Sequence, residues 1–279
     1  MIGQFLLAFR EGLEAALITA IVLAYLRRTN RSGLSRYIWY GNYAAVAASL
    51  IFGVSIWLIY GGLAESAKAV FEEVAALFAV SVLSSMIYWM AAKGRELRTE
   101  LERRVEAIAT RGATVPLIAF AFVVVFREGL ETVLFLTPFF LEDATGTLVG
   151  GSLGIVASSA FAYAIFVVGM KINMRKFFYF TSLLLVLLAG GLAGYGVHEL
   201  IEYSEEMGIE LGWIGEPAYV LDIPKDNVLH HKGVVGSIFA VMFGYTVEAE
   251  WARMIAHLSY LAVTLPLVVR IYRKNNIPV

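Results

Sequence analysis

Six residues occur twice in this sequence, as Phe9-Arg10-Glu11-Gly12-Leu13-Glu14 and as Phe126-Arg127-Glu128-Gly129-Leu130-Glu131. On a helix Glu11 and Glu14 are i,i+3 and leave from one face, as do Glu128 and Glu131. Arg10 and Glu14 are i,i+4, as are Arg127 and Glu131, so each arginine can pair with its own glutamate and leave the other more available. Gly12 and Gly129 remove a side chain inside the motif and let another helix approach. Four glutamates and two arginines sum to −2, which favours a cation. A divalent ion would neutralise the set and a trivalent ion would leave it at +1. Carboxylate oxygens suit hard or borderline ions and disfavour Cu(I). Paired glutamates also build the di-iron sites of four-helix bundles, but those add a histidine at i+3, and neither motif holds one. The chemistry leaves iron, manganese, magnesium and protons open. With no cysteine in the chain, thiolate ligands, disulfides and a cysteine nucleophile are excluded.

Both copies lie inside long apolar runs. Of 279 residues, 59% are apolar and 16% charged, with mean hydropathy +0.73, against about 25% charged in a soluble domain. The runs are rich in Leu, Ala, Val and Ile, exceed the ~20 residues that cross a bilayer as a helix, and lack barrel-strand alternation. The fold class is therefore an all-α polytopic membrane protein. Seven spans are predicted over 2–26, 38–62, 70–92, 115–140, 147–170, 178–201 and 246–270. The first run has no basic leader and is interrupted by Arg10, Glu11 and Glu14, so it is expected to be a retained span. Segment 233–245 is too short to cross alone and suits a re-entrant half-helix or the first part of a broken seventh span. Trp39, Tyr40, Trp57, Tyr60 and Trp89 read as interface anchors.

Basic residues gather in alternate loops: Arg27, Arg28, Arg31 and Arg36; Lys93 to Arg111; Lys171, Arg175 and Lys176; and the tail at Arg270, Arg273 and Lys274. The positive-inside rule then places the N-terminus outside and the C-terminus in the cytoplasm. Segment 93–114 alternates basic and acidic residues and reads as a solvated helical extension of the third span, held by i,i+4 pairs.

The motifs fall in spans one and four, which three crossings make antiparallel. That is the signature of a 3+3 inverted repeat plus one additional helix. The expected organisation is a single transporter domain: repeat one at 1–92, a cytoplasmic connector at 93–114, repeat two at 115–201, an acidic outer loop at 202–232 and a final helical region at 233–279. Glu11 and Glu14 lie ~13–18 Å along their span at ~1.5 Å per residue, close to the midplane. Six charges there cost roughly 15–20 kcal/mol before pairing, which structural stapling by two Arg–Glu pairs alone does not require.

The doubled motif resembles the iron permease family, comprising the fungal oxidase-dependent high-affinity permeases and their bacterial counterparts. The likeness extends over most of the chain: Phe71-Glu72 and Tyr88-Trp89-Met90 in span three, Leu188 to Gly191 and Gly196 to Glu199 in span six, and Phe243-Gly244-Tyr245-Thr246. The resemblance implies seven spans and iron uptake across the cell membrane by a multi-pass permease rather than an enzyme. It implies Glu11, Glu14, Glu128 and Glu131 as iron ligands and Arg10 and Arg127 as orienting charges. It implies iron (Fe2+ or Fe3+) as transported substrate with no organic cofactor, and a separate ferroxidase or extracytoplasmic iron-delivery protein as partner. A homo-oligomer is a further candidate assembly; the bilayer is the surrounding partner, and no basic stripe suggests nucleic acid.

Glu72, Glu73, His198, Glu199 and Glu248 are candidates for an outer vestibule that collects cations, with ordinary interface polarity as the alternative. The acidic loop could raise the local cation concentration. Adjacent His230 and His231 are expected to point apart on any regular element, and His257 reads as a hydrogen-bonded interhelical group. The eight methionines form no copper-type array, and no ATP-binding Gly-Lys-Ser/Thr loop is present. The expected mechanism is capture at the outer face, binding between the two motif helices and release inward as the repeats rock, with glutamate protonation as a natural coupling. The alternatives are a transporter of another divalent or soft metal such as manganese or lead, a membrane-embedded iron oxidoreductase, and a structural assembly subunit.

Overall fold

The computed structural model describes residues 1–93, 97–110, 114–166, 174–209, 211–224, 227–231, 233 and 235–274. Nine α-helices are present among them: α1 (Ile2–Arg28), α2 (Ser35–Gly61), α3 (Glu65–Lys93), α4 (Leu97–Thr110), α5 (Thr114–Glu142), α6 (Ala144–Phe166), α7 (Met174–Glu206), α8 (Gly236–Phe243) and α9 (Trp251–Lys274). A helix satisfies its backbone groups internally, which is what hydrocarbon surroundings require. Five segments are long and apolar enough to cross a membrane: Ser32–Gly61, Val70–Ala92, Ala144–Ile165, Phe178–Glu205 and Trp251–Lys274. The two other long helices, α1 and α5, carry the charged motifs.

The all-α class fits, with one small addition: β1 (Pro217–Val220), in the segment after α7, pairs antiparallel with β2 (Glu248–Glu250), Val220 facing Glu248 and Pro217 facing Glu250. Two expectations need correction. The last long helix starts at Trp251 rather than 246. Gly244, at φ 63°, takes the left-handed conformation that ends α8, and the amides of Gly244 and Tyr245 both return to the Phe239 carbonyl. Within that segment Gly236–Phe243 form a separate short helix, α8, against α7 and α1, divided from α9 by non-helical residues that include β2. Finally, α4 is a docked helix rather than a solvated extension of α3. Its Leu101, Val105 and Ala109 are buried, and the last two pack with Val22, Leu26, Ile38 and Leu117. An i,i+4 pair of the expected kind, Arg104–Glu100, is present on its exposed side.

The helices pair closely where glycine allows it. On α6, Gly150 lies at Met1 and Gln4, Gly154 at Phe5 to Phe9, and Ser158 at Gly12, so α1 and α6 run parallel. On α2, Gly41 lies at Ile118, Ala121 and Phe122, and Ser49 at Gly129, so α2 and α5 also run parallel. Asp143 alone separates α5 from α6 and caps α6, accepting the Gly146 amide on Oδ1 at 2.9 Å. The chain reverses there, and α1 and α5 are consequently antiparallel. The two pairings share one register: Met1 and Ile118, which face Gly150 and Gly41, each stand eight residues before the phenylalanine of their motif. The third layer is α3 on α7 on α9. Its apolar core, with Leu83, Ile87, Val186, Leu188 and Val268, also receives Leu7 of α1 and Phe135 of α5.

Candidate metal site between α1 and α5

Close approach of α6 to Gly12 and of α2 to Gly129 fixes the rotation of the motif helices and turns their glutamates inward. Glu11, Glu14, Glu128 and Glu131 are all buried, Glu11 completely. Glu11, Glu128 and Glu131 each present a carboxylate oxygen, and the three atoms lie within 4.8 Å of one another. The Oε2 atoms of these same three residues are buried and have no hydrogen-bond partner among the described residues. Buried polar groups are normally satisfied, and an unpaired buried charge is costly. A cation held by these oxygens removes that cost, and an all-oxygen set suits hard or borderline ions.

Glu14, predicted as the fourth ligand, is not in this group. It lies one turn further along α1, where Oε2 accepts a hydrogen bond from Arg10 Nη2 at 3.0 Å. The two arginines, equivalent in sequence, differ in surroundings. Arg10 is buried and bonds Glu11 as well as Glu14, and its Nη1 also donates to Met86 Sδ at 2.9 Å. Arg127 is half-exposed and bonds Glu131 Oε1 through Nε at 2.7 Å. Its guanidinium lies over the Trp89 ring, 5.3 Å from the centroid. Met86 and Trp89 were not legible as partners: a methionine carries no periodic signal, and Trp89 read as an interface anchor.

The proposed vestibule residues are partly assembled. His198 Nδ1 lies 2.9 Å from Glu250 Oε1, and its Nε2 lies 3.7 Å from Glu202. Glu199 is hydrogen-bonded to Tyr195 and within electrostatic range of Glu72, and Glu72 accepts a hydrogen bond from the Tyr60 hydroxyl. The side chain of Glu73 lies outside the described residues. Glu248 is exposed, and it is Glu250, two residues on, that reaches His198. A three-residue strand leaves no pattern that would have favoured one over the other. His230 and His231 do not point apart: they sit in a turn with ring centroids 4.2 Å apart. His257 lies against Gly190, Gly194 and Gly244, and its buried Nδ1 has no hydrogen-bond partner among the described residues.

A helical membrane protein that gathers three buried carboxylates between antiparallel helices holds a candidate cation site. The chain belongs to the iron permease FTR1 family, whose model matches residues 1–272. An uncharacterized protein of Archaeoglobus fulgidus is 46% identical over 272 residues, 98% of this chain and 96% of its own. The ferrous iron permease EfeU of Yersinia pestis is 32% identical over 270 residues, 96% of this chain and 93% of its own. A ferrous iron permease EfeU of Escherichia coli is 30% identical over 271 residues, 95% and 94% of the two chains. No solved structure matches the chain.

Proposed function

We propose that this permease imports ferrous iron across the cell membrane and binds it on Glu11, Glu128 and Glu131. The observation that carries the reading is the convergence of three buried carboxylates whose Oε2 atoms lack hydrogen-bond partners among the described residues. The relatives named ferrous iron permease, similar over nearly the full chain, favour Fe(II). Iron reaches the centre from the acidic outer face, where His198, Glu202, Glu250, Glu199 and Glu72 gather. Glu14 and the two arginines set the charge balance around the cation, and protonation of the cluster glutamates couples to release.

The same reading takes the seven long helices as seven spans, N-terminus outside, with α1–α3 and α5–α7 as inverted repeats and α9 as an addition. The shared register of Gly41 with Ile118 and Gly150 with Met1 supports the repeat, since one packing solution serves both halves. A separate ferroxidase or iron-delivery protein would dock at the outer face. Uptake of labelled iron by proteoliposomes, supplied separately as Fe(II) and Fe(III) without a partner, tests the substrate. Accumulation of Fe(II) alone is expected. Accumulation of Fe(III) alone would overturn the ferrous assignment, and preference for manganese or lead over both would overturn iron.

A further inference from the structure

Arg10 and Arg127 occupy the same place in the two motifs but are restrained differently. Arg127 makes one bond to the cluster, through Nε to Glu131, while its guanidinium is spread on the Trp89 ring. Arg10 divides its donors among three acceptors. Nη1 is shared between Glu11 Oε1 and Met86 Sδ, and Nη2 is on Glu14 Oε2. Of these three acceptors only Glu11 belongs to the convergent carboxylates.

We propose that Arg10 is an internal competitor of the transported cation: it shares Glu11 with the cation and withdraws onto Glu14 and Met86 when the cation binds. The inference rests on the reading that Glu11, Glu128 and Glu131 bind the cargo. A guanidinium is charged at every accessible pH. Two positive charges drawn to one carboxylate repel strongly in a medium of low dielectric constant, so the cation binds more tightly when the guanidinium moves off Glu11. The contacts already present make that move small. Nη2 keeps Glu14, Nη1 keeps Met86, and only the bond to Glu11 is given up. A thioether is a weak but polarizable acceptor on a flexible chain, so it can hold the nitrogen without adding a charge. When the cation departs, return of Arg10 to Glu11 satisfies a buried carboxylate that would otherwise be costly. The arginine therefore lowers affinity and speeds release. Arg127, lying on Trp89, has no comparable second acceptor among the described residues and makes a smaller contribution.

The test is equilibrium binding of Fe(II), under anaerobic conditions, to the full-length protein in detergent, with folding checked by circular dichroism and thermal melting. Arg10→Gln is expected to bind Fe(II) more tightly, on the order of tenfold or more, and Arg127→Gln to change affinity less. Met86→Leu, close in volume and without an acceptor, removes the place of retreat and is expected to weaken binding by about threefold. In proteoliposomes Arg10→Gln should lower KM and maximal rate together. Opposite shifts in affinity from two touching residues are not produced by a merely structural role. Equal or weaker binding in folded Arg10→Gln would overturn the inference and make Arg10 a positioning group for Glu11. If Arg10→Gln fails to fold, Met86→Leu decides alone, and unchanged or tighter binding overturns the inference. A wild-type protein that binds no Fe(II) would overturn the binding reading itself, whereas wild-type binding with the wrong sign in the variants overturns only the competition.

Discussion

Glu128 of α5 and Glu11 of α1 present carboxylate oxygens within 4.8 Å of each other across an antiparallel helix pair. Each carries a buried Oε2 with no hydrogen-bond partner among the described residues. This arrangement follows from Gly12 and Gly129, which admit α6 and α2 and so fix which way the motif faces point.

Replacing Glu11 or Glu131 by glutamine removes one charged oxygen donor while keeping the shape of the side chain. Either variant is expected to lose iron affinity by at least roughly 10–100-fold, the loss that follows even from removing an outer-shell partner of a metal site. Equilibrium binding in detergent checks this. Binding within about twofold of wild type would place the cation elsewhere.

Glu14 should behave differently from the other three glutamates. Its role in the structure is to hold the buried Arg10 at 3.0 Å, and breaking a buried pair costs about 3–5 kcal/mol. Glu14→Gln is therefore expected to lower thermal stability clearly and to lower iron affinity less than Glu131→Gln. The reverse order of effects would return Glu14 to the set of direct ligands.

The glycine seams give a contrast within one helix. A methyl group at Gly41 would lie 2.7 Å from Ala121 Cβ and 2.9 Å from the Phe122 amide nitrogen, whereas one at Gly53 would sit 3.4 Å from Val133 Cγ2. Backbone cannot yield as a side-chain end can. Gly41→Ala is expected to destabilise by about 1–3 kcal/mol and Gly53→Ala to be tolerated, as read from melting temperatures in the same detergent. Equal melting temperatures would contradict the α2–α5 packing.

Docking of α4 rests on its apolar side. Arg28–Glu102 is exposed on the arginine side, so Arg28→Ala should change stability by less than ~1 kcal/mol. Val105 is fully buried among Val22, Leu26 and Leu117, and Val105→Ala should cost roughly 1–3 kcal/mol. Protease accessibility of α4 in the two variants separates these outcomes.

The helices were legible because apolar runs of spanning length leave few alternatives, and the motif was legible because six identical residues recurred in two of them. The convergence of Glu11, Glu128 and Glu131 was legible as a shared antiparallel face. The separation of Glu14 from these three was not, because it depends on which neighbour reaches each arginine: Met86 for Arg10 and Trp89 for Arg127. Those contacts are set by the packing of α3, and nothing local to the motif encodes them. The docked face of α4 was in view as Leu101, Val105 and Ala109 at four-residue intervals, but the alternating charges around it read as a solvated helix. The β1–β2 pair was hidden because strands of three and four residues carry no usable periodicity.

Iron uptake by proteoliposomes containing Glu128→Gln tests the central claim most directly. Among the described contacts Glu128 pairs with neither arginine, so its replacement disturbs the surrounding ion pairs least. The expected result is a folded protein, with wild-type thermal stability or better, whose Fe(II) uptake falls to the level of protein-free liposomes. Uptake per folded molecule equal to wild type would contradict an intramembrane glutamate route and leave the motif as a structural staple.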